Sequence, residues 1–301
     1  MRAMGPQGIR GRVMRDVPMK RYTSMRVGGQ ASYLFYPEDE ADLSRVVHWL
    51  RERHLPFRFL GNGTNVIVAD RGLAMAVIRI TRMGTLRARR TRTGALVEAG
   101  GGVALKTVIR QCAARGFSGL ERLFGIPGTV GGALKMNAGS FGVSISDCLV
   151  SAKVMDEAGE VLTRQRHEMG FGYRTSSFGD RECILKATFE LKRGDPGRIN
   201  AEMDRVWRER LEKHPMEMAS AGSVFKNRNG DPCWKHIDHA GLRGFRIGNA
   251  WISEKHPNFI VNRGGASASD VERLIKTVKR RVREATGVAL EEEVELWGFD
   301  E

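Results

Sequence analysis

The 301-residue sequence contains no uninterrupted apolar stretch near the roughly 20 residues needed to cross a bilayer, and its basic amino end lacks the apolar block of a signal peptide. A soluble, cytoplasmic protein with no membrane partner is expected. Cysteine is scarce: Cys112, Cys148, Cys183 and Cys233 stand far apart without a CxxC pair, which argues against a disulfide framework and for reduced thiols. No internal repeat or low-complexity tract is apparent, which argues against a solenoid or a disordered scaffold. Acidic residues are outnumbered, 35 Asp and Glu against 49 Lys and Arg, for a formal charge of +14. Such an excess attracts phosphates of any kind without choosing among nucleic acid, anionic lipid and dinucleotide. No recognised nucleic-acid motif with interleaved aromatics accompanies the charge, so no nucleic-acid partner is expected and that class stands as a distant alternative. No metal site is expected either, because Cys233, His236 and His239 advance about 300° at each helical step and fan apart.

The length exceeds what one hydrophobic core usually fills, so two or three lobes are expected. Residues 1–20 read as a basic leader, with the segment from Met1 to Arg15 expected to be solvated. From Ala31 a strand (SYLFY), a helix over Glu38 to Arg53 with Leu43, Val46, Val47 and Leu50 inward, and a strand at 57–60 follow one another. Residues 75–80 and 95–100 are further strands, and a helix carries Leu105, Val108, Ile109 and Cys112 inward before Gly116. A hairpin from LVSAKVMD and EVLTRQ precedes the strand ILKATFELK. At Gly194 the composition changes, and a helix begins with Ile199, Met203, Val206, Trp207 and Leu211 at helical spacing. Near the carboxyl end, Ser269 and Glu272 suggest a capping box for a helix stopped by Gly287, and LEEEVELWG suggests a closing strand.

Two segments carry the strongest functional signal. Gly61, Asn62, Gly63, Thr64 and Asn65 lie between two strands, where backbone amides can converge on a phosphate with Thr64 and Asn65 adding side-chain donors. A plain hairpin turn is the competing reading. A strand follows this loop where a dinucleotide fingerprint requires a helix, which disfavours a Rossmann fold. The second segment runs Phe124, Gly125, Ile126, Pro127, Gly128, Thr129, Val130, Gly131, Gly132, Ala133 and continues through Met136, Asn137, Ala138 and Gly139. Its bare backbone admits a flat ring system or a pyrophosphate, with Ile126, Pro127 and Val130 as an apolar wall.

Taken in order, GNGTNVIVADRG and GIPGTVGGALKMNAGSFG resemble the FAD-binding half of UDP-N-acetylenolpyruvoylglucosamine reductases. TSMRVGGQASY, FGYRTSSF, SAGSVFKN, ISEKHPNFIVN and LEEEV match further blocks of that family, so the resemblance spans about Tyr22 to Gly298. The short stretch from Phe178 to Cys183 resembles the family's shorter, second type. The resemblance implies an α+β, vanillyl-alcohol-oxidase-type (PCMH-like) FAD-binding fold with a carboxyl-terminal α+β substrate domain. On this reading residues 21–193 bind FAD, as subdomains of about 21–83 and 84–193. Residues 194–301 bind substrate, and the last strand, about 290–298, returns to the flavin.

The implied reaction is the NADPH-dependent reduction of UDP-N-acetylglucosamine enolpyruvate to UDP-N-acetylmuramate in peptidoglycan precursor synthesis. Hydride passes from flavin N5 to the enolpyruvyl methylene carbon, and a proton then reaches the adjacent carbon. Arg174 matches the arginine holding the substrate carboxylate, Ser223 the proton donor and Glu293 the catalytic glutamate. Lys226, Asn227, Tyr173 and His256 are expected to contact substrate. Gly61 to Asn65, Gly125 to Gly131, Ala138 and Gly139 are expected to contact FAD. Departures from the family pattern are Phe124, Arg228 and Trp251, each bulkier than or different from the usual residue. Another FAD-linked oxidase or dehydrogenase on the same fold is the alternative within enzymology, since glycine loops report the cofactor better than the chemistry.

Overall fold

The computed structural model describes residues 8–228 and 230–299, and the chain packs as two compact units. The first comprises residues up to Arg15, Ser32–Asn62 and Ala74–Arg208; the second comprises Asp16–Ala31, Gly63–Leu73 and the residues from Glu209 onward. The second unit thus adds two early segments to the carboxyl-terminal region, which a cut at 193/194 along the chain does not separate out.

In the first unit, helix α1 (Glu40–Glu52) starts at Asp39, whose carboxylate accepts from the Asp42 amide. Its buried residues include Leu43, Val46, Val47 and Leu50, packed with Phe35, Phe57, Ile78 and Leu185 into one core. The strands Arg12–Pro18, Gln30–Tyr36, Leu73–Ile78 and Phe57–Phe59 form a sheet in that order, the last two parallel. Residues 12–18, expected as part of the basic leader and solvated as far as Arg15, are therefore a sheet strand, and Val17 is buried. Residues 1–7 of that leader lie outside the described residues.

A second, larger sheet runs Val161–Gln165, Leu149–Met155, Cys183–Arg193, Gly94–Gly100, Leu86–Arg90, antiparallel throughout. Its core side is filled by helix α2 (Leu105–Ala114), the short helix α3 (Val130–Lys135) and the start of helix α4 (Pro196–Lys213). Ile199, Met203 and Val206 of α4 are buried, but Leu211 is exposed, contrary to the periodicity that grouped them.

The second unit holds an antiparallel sheet ordered Ala219–Ser223, Phe259–Asn262, Ala250–Ile252, Arg246–Ile247, and a parallel pair of Val66–Val68 with Glu295–Trp297. Helices α5 (Cys233–His239) and α6 (Ala268–Thr286) pack with these strands, and α6 buries Val271, Leu274, Ile275, Val278 and Val282. The capping box is Ser267 with Asp270, two residues earlier than Ser269 with Glu272. Ser269 instead donates from its amide and hydroxyl to Asp70, whose carboxylate also accepts from the Ala268 amide. Gly287 closes α6 with φ 72°, the left-handed geometry that favours glycine. The closing strand is limited to Glu295–Trp297.

Candidate functional site

The strand Phe57–Phe59 pairs in parallel with Leu73–Ile78, and Val66–Val68 pairs in parallel with Glu295–Trp297, so the Gly61 to Asn65 loop closes no hairpin. In the first unit this loop lies against the second glycine segment: a Cβ on Gly61 would stand 2.6 Å from Thr129 Oγ1. Thr129 is committed there, since its Oγ1 accepts from the Gly132 amide at 3.3 Å and caps α3. Arg79 fixes the loop from behind, donating from Nε and Nη2 to the Gly61 carbonyl at 3.1 and 2.9 Å. The amides of Gly61, Asn62, Gly125, Gly128 and Thr129 donate to no acceptor among the described residues. In the second unit the Gly63 amide is likewise unengaged, while its carbonyl accepts from Ser24.

Bare backbone donors of this kind suit a pyrophosphate, and the closeness of Gly61 to Thr129 leaves no room for a side chain at position 61. The first unit's own residues fit FAD: Gly61, Asn62, Gly125, Gly128 and Thr129 carry the open amides. Other members of the expected set serve differently. Val130 is fully buried in the core and forms no wall, and half-buried Ile126 packs against that core. Gly131 donates to the Gly101 carbonyl, and Ala138 to Ala133. We expect Gly61→Ala to lower flavin affinity roughly tenfold, because the new methyl must displace the Thr129 hydroxyl from its cap. Flavin titration by fluorescence quenching measures this, and unchanged affinity would contradict the cradle.

Arg174 sits in the same unit, in a turn where the Gly172 amide donates to the Thr175 carbonyl at 3.1 Å. Its φ of 53° is left-handed and strained for a non-glycine residue. Its guanidinium donates to the Gly139 carbonyl at 2.7 Å and lies 5.1 Å from the centre of the Tyr173 ring. Asn137, buried and itself left-handed at φ 40°, holds the turn by donating from Nδ2 to Gly172 O at 2.8 Å. Gly139, expected at the cofactor, supports Arg174 through its carbonyl. Sequence reasoning passed over Asn137 as a positioning group; the asparagine amid glycines and small residues in MNAGS was the available signal.

The second unit brings Ser223 and Glu293 onto neighbouring backbone. Ser223 ends the strand Ala219–Ser223 opposite Phe259, after a register shift at which Gly222 adopts φ 81°. Such a bulge re-aims the next side chain. The Ser223 hydroxyl makes no hydrogen bond among the described residues. The following residue, Val224, accepts from the Glu293 amide at 2.7 Å, and Phe225 bridges Glu292. Asn65, expected as a phosphate donor, gives an N–H to the Glu293 carbonyl at 3.0 Å. Glu292 binds Lys279 at 2.7 Å and Glu291 binds Lys226, so the three acidic residues have three different settings. The Cys233 thiol is pushed up to about 12, first by burial and then by the nearby Glu293 carboxylate. Among the described residues no three His, Cys, Asp or Glu side chains converge as for a metal; His236 contacts Asp231 instead.

Of the expected substrate contacts, Lys226 and Asn227 follow Ser223 directly, and Asn227 Oδ1 accepts from the Cys233 amide at 3.1 Å. Tyr173 is 53% exposed and lies in the first unit beside Arg174. His256 packs edge-on to His214 and Phe259, each at 5.1 Å between ring centres. Burial pushes both imidazoles down to about 4, helped for His214 by His256, Arg210, Lys213 and Lys255, and for His256 by Arg243. Both rings are therefore neutral near pH 7. Unfolded histidine binds its proton near 6.5, so between that value and about 4 the unfolded chain holds more protons. Stability is then complete above pH 6.5, falls toward pH 4 and levels off below it. Allowing for water at the half-buried rings, a loss of about 2–4 kcal/mol is expected from the pair. Urea midpoints at pH 7.5 and 4.5 test this, and His214→Phe should reduce the difference.

An FAD-binding domain model matches residues 31–164, and a solvent-stable cholesterol oxidase shares the fold, with TM-score 0.51 and 14% identity over 63% of this chain and 40% of that one. The chain is an FAD-binding protein of the vanillyl-alcohol-oxidase type, with an additional α+β carboxyl-terminal region. The family model for the UDP-N-acetylenolpyruvoylglucosamine reductase C-terminal domain matches residues 214–297. The UDP-N-acetylenolpyruvoylglucosamine reductase of Syntrophus aciditrophicus is 41% identical over 97% of this chain and 94% of its own. The crystal structure of the Thermus caldophilus enzyme of that name superposes with TM-score 0.81 at 37% identity, over 95% of this chain and 99% of that one. The chain belongs to the UDP-N-acetylenolpyruvoylglucosamine reductase family.

Proposed function

We propose that this protein reduces UDP-N-acetylglucosamine enolpyruvate to UDP-N-acetylmuramate with NADPH, as a cytoplasmic step of peptidoglycan precursor synthesis. Bound FAD supplies the hydride carrier between the two substrates. The observation that carries the reading is Ser223, re-aimed by the Gly222 bulge and set beside the Glu293 backbone. Ser223 Oγ delivers the proton to the carbon next to the substrate carboxylate. An alcohol is a weak acid near neutral pH, so this step needs help from adjacent charge. Glu293 is the group we assign to polarising the substrate or the proton relay.

Arg174, with a planar and permanently charged fork, holds the substrate carboxylate and offsets the negative charge that develops beside it. Lys226 leaves Glu291 to meet the diphosphate, while Asn227, Tyr173 and neutral His256 line the remainder of the substrate. No helix among the described residues is long and apolar enough to cross a membrane. Incubation with FAD, NADPH and the enolpyruvyl sugar in D₂O tests the reading by mass spectrometry. The product should gain two hydrogens, with deuterium at the carbon bearing the carboxylate from the proton step and deuterium also at the new methyl group to the extent that the flavin N5–H exchanges with solvent before transfer. Absence of that product rejects the substrate assignment.

A further inference from the structure

In the first unit, α2 and α4 flank an open surface cavity of about 370 Å³, lined chiefly by exposed Lys106 and Arg110 of α2, by exposed Asn200 and Asp204 and by Trp207 of α4, and by Phe124. That volume falls in the range of roughly 300–1,000 Å³ typical of small-molecule sites. None of these side chains has a part in the proposed chemistry. Phe124 and Trp207 meet edge-on with ring centres 6.1 Å apart. The Lys106 ammonium lies 6.0 and 5.9 Å from the two ring centres, and the Arg110 guanidinium lies 5.6 Å from that of Phe124.

Lys106 and Arg110 are one helical turn apart, where like charges repel, and neither forms an ion pair among the described residues. The Asp204 carboxylate and the Asn200 amide also make no hydrogen bond there. Three chemistries therefore face one cavity: an aromatic wall, two cations without a carboxylate partner, and a carboxylate without a donor.

A bare polyanion would satisfy the cations but be repelled by Asp204. An uncharged aromatic would stack on Trp207 and leave the cations unanswered. A nucleoside diphosphate answers all three, with its base on the aromatic pair, its phosphates at Lys106 and Arg110, and its ribose hydroxyls donating to Asp204. We propose that this cavity is a nucleotide-binding site separate from the catalytic groups. Phe124 links it to the flavin segment, because its side chain lines the cavity and its backbone leads directly into Gly125.

Equilibrium dialysis of the flavin-loaded full chain against ADP, UDP and inorganic pyrophosphate tests the assignment. Arg110→Glu and Asp204→Ala lie on exposed helix surface, and flavin content and circular dichroism verify their folding. Each variant is expected to lose one class of ADP site, weakened at least about tenfold, and pyrophosphate is expected to bind that site at least about tenfold more weakly than ADP. UDP binding equal to that of ADP supports the same site with no base preference. ADP binding unchanged in both variants overturns the proposal, as does pyrophosphate binding that matches ADP.

Discussion

Arg174→Ala is expected to lower kcat/KM for the enolpyruvyl sugar by a factor on the order of 10²–10³, the usual cost of removing one pre-positioned group that stabilises developing negative charge. Stopped-flow traces should locate the loss in reoxidation of the flavin, leaving its reduction by NADPH nearly unchanged. The strained turn is the physical reason to expect so large an effect. A left-handed arginine whose guanidinium is tied to Gly139 O, on a turn held by Asn137, is fixed before substrate arrives. Arg174→Lys should restore little, because an ammonium cannot reproduce the two-pronged geometry. Equal loss in both half-reactions would place Arg174 at the flavin and remove its assigned role.

Ser223→Ala is expected to reduce the rate of the second half-reaction by about 10²–10⁴, the range for losing a positioned general acid. KM should change little, since the hydroxyl is assigned to the proton and not to binding. Ser223→Cys, of similar size and with a more acidic group, should recover part of the rate. Product from residual turnover in D₂O should show deuterium scrambled between the two faces of the protonated carbon if solvent replaces the serine. Unchanged stereochemistry and rate in Ser223→Ala would transfer the proton step to another group.

Much of the fold is visible in local pattern. The inward residues of α1, α2 and α6 follow from spacing alone, and Asp39 before α1 and Gly287 after α6 mark helix ends by their own chemistry. The α6 cap was ambiguous because Ser267 with Asp270 and Ser269 with Glu272 are overlapping frames of one signal. Asp70, 199 residues away in sequence, draws the Ser269 hydroxyl and settles the frame. In LEEEVELWG, alternation suggests one long strand, yet residues 292–294 pair with Val224 and Phe225 and only Glu295–Trp297 joins a ladder. Distance in sequence hides those partners from any local window.

The site divides in the same way. The glycine loops announce a backbone that must come close to something, and free amides with a near contact between Gly61 and Thr129 are the structural form of that message. The identities of Arg174, Ser223 and Glu293 as functional residues rested on family blocks, since arginine is abundant and a lone serine or acidic strand is commonplace. What sequence could not provide was their support: Asn137 under the Arg174 turn, the Gly222 bulge before Ser223, and Asn65 on the Glu293 carbonyl. Each is a tertiary contact made by a residue whose own sequence context is unremarkable.

The most direct test is the anaerobic flavin absorbance of the purified protein, recorded after FAD, then NADPH, then UDP-N-acetylglucosamine enolpyruvate. The account predicts bleaching on NADPH and recovery of the oxidised spectrum on the enolpyruvyl sugar. Bleaching without recovery would contradict the substrate assignment, and a protein that binds no flavin would contradict the account at its base.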